Sequence, residues 1–180
     1  ERGSEYNGYK EKNGFKLHQM IDYQTRLPLR HVATPGARSD VVLGRHLIGV
    51  AHPEWRVTGF LGDKAYDDWK LVAKLKQKWN RIRVGIPIRR TIHERIRPFP
   101  TPVIRNRRIK EADRCLRTTF LNQRTEIERY FSRKKRVFNL GEERTRHLEN
   151  FRANCDFIAI IEILEWSTTP QIWIALFTKL

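Results

Sequence analysis

One carboxylate of the chain, Asp63, occupies a position where chemistry is common. It directly follows the apolar segment WRVTGFLG, which reads as a strand, and Gly62 precedes it. A carboxylate just beyond a strand points out of the end of a sheet, where α/β proteins tend to bind ligands. Asp after Gly is also a frequent turn-forming or capping residue. The position alone therefore leaves two roles open for Asp63, a ligand-binding residue or a turn residue.

A second carboxylate, Glu128, lies in the helical segment LNQRTEIERYFSRKK. Leu121, Arg124, Glu128 and Lys135 follow one another at spacings of +3, +4 and +7, so they share one helical face. Arg124 and Glu128 are also i,i+4 neighbours, and such ion pairs are common on exposed helices. The spacing fits either a functional carboxylate between basic residues or a solvated face with local ion pairs.

The charge of the whole chain points to a polyanionic partner. Its 180 residues carry 36 Lys and Arg against 20 Asp and Glu, which gives a net charge of +16 and a pI near 10.4. Nucleic acid is the first candidate, since phosphate neutralisation supplies most non-specific affinity. A spanning helix is not expected, because no stretch reaches roughly 18 uninterrupted apolar residues.

The periodicity of the chain predicts a mixed α/β domain. FKLHQMID and LPLRHVA read as an antiparallel hairpin, and a helix is expected near 40–51 with Ser39 or Asp40 as its cap. The strand WRVTGFLGD, the helix DDWKLVAKLKQKW and the buried strand IRVGIPI follow. Further helices are expected over 113–137 and about 145–165.

Several side chains in this pattern have ordinary structural roles as their first interpretation. Asp67 and Asp68 are expected to cap the helix that follows them, and Trp69 and Trp79 to lie on its apolar side. The six histidines show no metal-binding spacing. The two cysteines are isolated and favour a reducing cytoplasm over a disulfide framework or a zinc site.

A basic, Pro-rich stretch, RRTIHERIRPFPTPVIRNRRIK, covers residues 89–110 and reads as irregular structure or an insertion. It contains a dense basic run made of Arg105, Arg107, Arg108 and Lys110. Charge runs are usually solvated, but the whole chain is basic, so both a solvated loop and contact with the DNA backbone fit.

Four segments occur together in an informative order. KNGFKLHQMIDYQTRLPL, TPGARSD, GDKAYDD and RTEIERYFSRKKRV are arranged as in insertion-sequence transposases of the IS4/IS5 type. The chain resembles that family from residue 12 to about residue 165. The resemblance implies the DDE group of transposases, with a ribonuclease-H-like mixed sheet flanked by helices.

The resemblance also implies site residues. The second catalytic Asp of the family lies in a GDKGYD-like segment, which corresponds to Asp63. The catalytic Glu lies in a Y(2)R(3)E(6)K signature, which corresponds to Glu128 with Arg124 and Lys135 at the matching offsets. The Tyr position of the signature holds Leu121 here.

The implied chemistry is phosphodiester hydrolysis and strand transfer at the ends of an insertion sequence. Asp63 and Glu128 would ligate Mg²⁺ or Mn²⁺, which carboxylates bind well and which stabilise both the attacking and the leaving oxygens of a phosphodiester. Arg124 and Lys135 would hold DNA phosphates. The implied partners are double-stranded DNA at transposon ends and target, and a second copy of the chain in a homodimer at the bacterial nucleoid.

On this basis the expected organisation is a polar loop or frayed end at 1–13, a catalytic domain over 14–165 and a C-terminal tail at 166–180. The family places its first catalytic Asp on a strand before GFKLH, where ERGSEYNGYKEKN has no Asp and no apolar strand. The chain as given is therefore expected to lack that strand and ligand and to be inactive. The alternatives are a non-catalytic, basic DNA-binding remnant of a transposase and, less favoured, an RNA-associated protein.

Overall fold

The computed structural model describes residues 4–7, 12–88, 100–116, 125–140 and 147–168. Both strands and helices occur within these ranges, which confirms the mixed α/β class. The strands are β1 (Glu5–Asn7), β2 (Lys12–Ile21), β3 (Pro28–Pro35), β4 (Gly59–Leu61) and β5 (Arg83–Gly85). The helices are α1 (Asp40–Val50), a 3-10 turn (Lys64–Tyr66), α2 (Trp69–Lys78), α3 (Pro102–Leu116), α4 (Thr125–Phe138) and α5 (Leu148–Ser167).

The chain divides into two compact units. Unit 1 combines Glu1–Arg38 with Arg129–Leu180, and unit 2 is the continuous segment Ser39–Glu128. Unit 1 therefore contains β1 to β3, most of α4 and α5, while unit 2 contains β4, β5 and the first three helices.

The sheet of unit 1 is antiparallel, with the order β1-β2-β3. Its β2–β3 hairpin confirms the predicted one and pairs Phe15 with Pro35. The Asp22 carboxylate fixes the turn, because it accepts hydrogen bonds from the Thr25 amide at 2.9 Å and the Thr25 hydroxyl at 2.6 Å. The loop expected at 1–13 is wrong in part, since Glu5–Asn7 pairs with the start of β2. A three-residue polar strand is too short to show alternation, so the sequence pattern missed it.

The hydrophobic core of unit 1 lies between this sheet and α5. Phe15 of β2 stacks on Phe151 of α5 with ring centroids 5.4 Å apart. The buried members of the core come from β3, from the segment just after α4 and from α5: Ala33, Leu140, Phe151, Cys155 and Ile158. α4 ends where Asn139 adopts a left-handed conformation with φ 51°, which is a common helix stop. These contacts fix α4 and α5 against the hairpin.

Charged groups are also buried in unit 1, in a network between α4 and α5. Lys134 Nζ lies 3.0 Å from Glu162 Oε2, and both side chains are almost fully buried. The Tyr130 hydroxyl donates to the same oxygen at 2.7 Å and accepts from the Gln19 amide at 3.0 Å. Burial lowers the pKa of Lys134 although Glu162 opposes the shift. Burial and the hydrogen bond to Glu162 raise the pKa of Tyr130. Because its pKa is raised, the Tyr130 phenol keeps its proton and donates a hydrogen bond to the Glu162 carboxylate.

Unit 2 is built around two parallel strands, with Phe60 of β4 opposite Val84 of β5. Helices α1 and α2 supply the rest of its core, whose fully buried members include Ile48, Leu71 and Leu75. Trp79 is buried as expected, but Trp69 is 37% exposed, so its predicted core position is wrong. Trp69 is the first residue of α2, and the buried residues of this helix begin only at Leu71.

Part of the stretch expected to be irregular is helical. α3 begins at Pro102, a residue that suits the first helical position because it needs no amide hydrogen bond there. The Thr101 hydroxyl accepts from the Ile104 amide at 3.3 Å and caps the helix. Of the helix expected over 113–137, residues 113–116 belong to α3 and residues 125–137 to α4. Residues 89–99 and 117–124 lie outside the described part of the chain.

Candidate functional site

Asp63 lies two residues beyond β4, at the carboxyl ends of the two parallel strands. The Gly62 amide bonds to the Gly85 carbonyl at 3.2 Å, which continues the strand pairing up to the residue before Asp63. The Asp63 side chain is exposed, and its Oδ1 accepts from the Lys64 amide at 2.5 Å. Asp63 thus caps the 3-10 turn and also stands at a sheet end where ligands bind in α/β proteins.

The next two acidic residues differ in role. Asp68 caps α2 as predicted, because its Oδ1 accepts from the Leu71 amide at 2.8 Å. Asp67 does not cap the helix, which corrects the sequence-based expectation. It is 2% exposed and lies 3.3 Å from the equally buried guanidinium of Arg108 on α3. A buried carboxylate needs a charged or hydrogen-bonding partner, and here α3 supplies it.

Tyr66 is the last residue of the same 3-10 turn, and its ring packs against α1. A Cβ atom at Gly44 of α1 would stand 3.0 Å from the Tyr66 ring, so glycine lets α1 approach the turn closely. Burial of the phenol, together with the negative charges of Asp40 and Asp63, raises the pKa of Tyr66 to about 12. The phenol therefore keeps its proton throughout the neutral pH range.

The raised pKa of Tyr66 predicts a measurable loss of stability in alkali. An unfolded tyrosine loses its proton near pH 10, whereas folded Tyr66 keeps it to about pH 12. Stability is unaffected below pH 10 and falls as the pH rises between these values, because the unfolded state then binds fewer protons. Urea unfolding of the wild type and of Tyr66→Phe should show the wild type losing about 1 kcal/mol more between pH 8 and pH 11. An equal loss in both proteins would contradict the prediction.

Glu128 lies in the first turn of α4 and its side chain is exposed. Lys135 is exposed as well and follows at i+7, so both side chains occupy one face of the helix. Tyr130 and Lys134 occupy the buried face. Arg124, expected one turn before Glu128, lies outside the described residues.

The donor chemistry of Asp63 and Glu128 suits a hard divalent cation, because both offer exposed carboxylate oxygens. Within the described ranges no group of three or more His, Cys, Asp or Glu side chains is gathered as a metal site. Asp22 is engaged by Thr25 in the hairpin turn. The approach of Glu128 to Asp63 stays a prediction.

The basic run of the sequence separates into exposed and buried members. Arg105 and Arg107 are exposed, whereas Arg108 is 3% exposed and donates from Nη2 to the Ile86 carbonyl. Arg108 is therefore removed from the expected DNA contacts, because its guanidinium is committed inside unit 2. Sequence spacing could have suggested another set on α3: Arg107, Lys110 and Arg114 are exposed and follow at i, i+3 and i+7 on one face.

Among the residues that the structure describes, no helix combines the length and the apolar character needed to cross a bilayer.

Comparison with known proteins identifies the family. The family model described as "Transposase DDE domain" matches residues 1–163, which is most of the chain. No curated protein and no solved structure matches it. The matched range includes Asp63 at the end of β4 and Glu128 on α4. The chain belongs to the transposase DDE domain family.

Proposed function

We propose that this chain is the catalytic domain of an IS4/IS5-type transposase, which cuts and joins DNA at insertion-sequence ends. The observation that carries the proposal is the position of Asp63, an exposed carboxylate at the end of parallel strands inside a GDKAYD segment of a DDE family match. Its substrate is double-stranded DNA, in the cytoplasm of the bacterium, and the active form is a homodimer that binds both ends of the element.

We assign Asp63 and Glu128 as the residues that hold Mg²⁺ or Mn²⁺. Such ions, when bound, activate a water or a 3′-hydroxyl and neutralise the charge that develops on the phosphodiester. Asp63 suits this role because the strand end and the 3-10 turn fix its backbone on both sides. Glu128 suits it because the helix is anchored through the opposite face, by Tyr130 and Lys134.

Two basic residues that flank Glu128 in the sequence, Arg124 and Lys135, complete the proposed site. Lys135, on the same exposed face, would hold a DNA phosphate as a point charge, and Arg124 would do so with its guanidinium fork. We also propose the ribonuclease-H-like fold. The antiparallel strands β1 to β3 and the parallel pair β4–β5 are the two kinds of pairing that its mixed sheet requires.

Localised cleavage of the protein tests whether Asp63 and Glu128 share a site. Fe²⁺ in place of Mg²⁺, with ascorbate and peroxide, produces radicals that cut the main chain close to the ion. We expect cuts near residue 63 and near residue 128 in the same sample, and loss of both cuts in Asp63→Asn. Mass spectrometry of the fragments gives the cut sites. Cuts near only one of the two carboxylates would contradict a shared site.

The exposed basic face of α3 gives a second prediction. Replacing Arg107, Lys110 and Arg114 together by glutamine should weaken binding to duplex DNA of any sequence. Loss of three phosphate contacts should make the slope of log affinity against log salt shallower by about 2 to 3. Fluorescence anisotropy over a salt series measures this slope. The matched control replaces three exposed basic residues elsewhere in unit 2, Lys70, Arg81 and Arg83. An unchanged slope in the α3 variant would assign the α3 face to solvent, and an equal change in the control would show that DNA contact is not specific to this face.

A second candidate function is a non-catalytic DNA-binding protein derived from a transposase. The net charge of +16 favours it. Nicking of supercoiled DNA in Mg²⁺ or Mn²⁺ separates the two candidates, because a binding protein leaves the strands intact.

A further inference from the structure

We infer that the buried ion pair between Asp67 and Arg108 is the positioning device for Asp63. The inference rests on the proposed role of Asp63 as a metal-binding residue. Neither Asp67 nor Arg108 reaches the exposed end of β4 itself, so both act through the turn that carries Asp63.

Arg108 contacts Asp67, and a single 3-10 turn connects Asp67 to Asp63. Asp63 is the N-cap of the 3-10 turn Lys64–Tyr66, and Asp67 is its C-cap. The Asp67 amide donates to the Lys64 carbonyl at 3.1 Å, and the Tyr66 amide donates to the Asp63 carbonyl at 2.9 Å. A single turn closed by these two bonds cannot move at one end alone, so a displacement of Asp67 is passed to Asp63.

Arg108 fixes Asp67 relative to both strands of unit 2. Its Nη2 lies 3.3 Å from the Asp67 carboxylate and donates to the carbonyl of Ile86, the residue after β5. Ile86 is itself fully buried, and its Cγ1 would lie 3.3 Å from a Cβ atom at Gly62. One guanidinium therefore connects α3, the end of β5 and the turn that follows β4.

The chemistry of the pair suits positioning better than stability. An apolar pair of similar volume commonly stabilises an interior as well as a buried ion pair does. Both contacts of Arg108 come from Nη2, and the planar guanidinium holds this nitrogen in a fixed direction, which neither an apolar group nor a flexible ammonium does. A metal ligand has to be held within about half an ångström of its productive position. The ion pair between Asp67 and Arg108 meets this requirement for Asp63 from the buried side of the turn.

Mn²⁺ affinity, followed by electron paramagnetic resonance on the 180-residue chain, tests the inference. Arg108→Lys keeps the charge but replaces the planar guanidinium by a flexible ammonium, and Asp67→Leu combined with Arg108→Met removes both charges together. We expect each variant to remain folded by circular dichroism and to bind Mn²⁺ about tenfold more weakly, the usual effect of losing a group that orients a ligand. The matched control is Lys76→Met, which breaks the 3.0 Å ion pair of Lys76 with Glu111 between α2 and α3. Its Mn²⁺ affinity should equal that of the wild type.

The outcomes separate this inference from the proposed function. Wild-type Mn²⁺ affinity in both the folded Arg108→Lys protein and the folded double variant would overturn the positioning role. If one of the two variants unfolds, the affinity of the other decides. Asp63→Asn reports on the proposed function alone, because it removes the ligand and leaves Asp67 and Arg108 in place. Undiminished Mn²⁺ binding by Asp63→Asn would overturn the metal role of Asp63, whatever the Arg108 variants do.

Discussion

In a protein extended before Glu1 by the strand and Asp that the resemblance implies, replacement of Asp63 by asparagine is expected to lower Mg²⁺-dependent nicking of supercoiled DNA by at least about a thousandfold. The amide is nearly isosteric with the carboxylate, so the cap to Lys64 and the 3-10 turn should persist. What is lost is the negative charge that binds the cation. Glu128→Gln should cause a loss of similar size for the same reason. Gel assays of plasmid relaxation, with protein concentration and DNA saturation held constant, give the rate.

The matched control for both variants is Asp113→Asn. Asp113 is an exposed carboxylate of α3 in unit 2, so the substitution removes the same charge from the same unit. Its nicking rate should match the wild type within the error of the assay. Nicking by Asp63→Asn at the rate of Asp113→Asn would show that the Asp63 carboxylate takes no part in the reaction.

Glu162→Ala is expected to lower the free energy of unfolding by about 3 to 5 kcal/mol. The substitution leaves the ammonium of Lys134 buried without its counterion, which lies 3.0 Å away in the wild type. It also removes the acceptor of the Tyr130 hydroxyl. Urea unfolding followed by circular dichroism measures the loss.

Two further variants distinguish the stability contribution of the buried Lys134–Glu162 pair from that of an exposed ion pair. Glu165→Ala breaks an ion pair with Arg133 whose two side chains are about half exposed, so it should cost less than about 1 kcal/mol. Lys134→Met combined with Glu162→Leu removes both buried charges and should recover most of the stability lost in Glu162→Ala. A double variant as unstable as Glu162→Ala would show that the loss comes from packing rather than from the unpaired charge.

The sequence predicts those parts of the fold that depend on local patterns. The β2–β3 hairpin follows from the alternation of Phe15, Leu17 and Ile21 with other residues, and α2 follows from helical spacing behind the Asp68 cap. The start of α3 could also have been predicted, since Thr101 and Pro102 are a frequent capping pair. The density of proline and arginine around it favoured an irregular assignment instead.

The buried charges could not be predicted in the same way. Arg108 looks like its neighbours Arg105 and Arg107 until its partner Asp67, far away in the sequence, is known. Lys134 and Lys135 are adjacent lysines, yet one is fully buried and the other is exposed. The rotation of α4 decides between them, and contacts of α4 with α5 set that rotation. The position of Asp63 at a strand end was predictable because strand and turn are both local.

The division of the chain into one continuous and one discontinuous unit has a consequence for the order of folding during synthesis. Unit 2 has all its residues available once Glu128 has left the ribosome. The β2–β3 hairpin is made much earlier, but the side chains that cover it, such as Phe151 and Ile158, are made last. Until then the apolar face of the hairpin stays uncovered in the nascent chain, and uncovered strands of this kind attract chaperones and other chains. Slow translation before α5 should therefore increase the association of the uncovered β2–β3 hairpin with other chains.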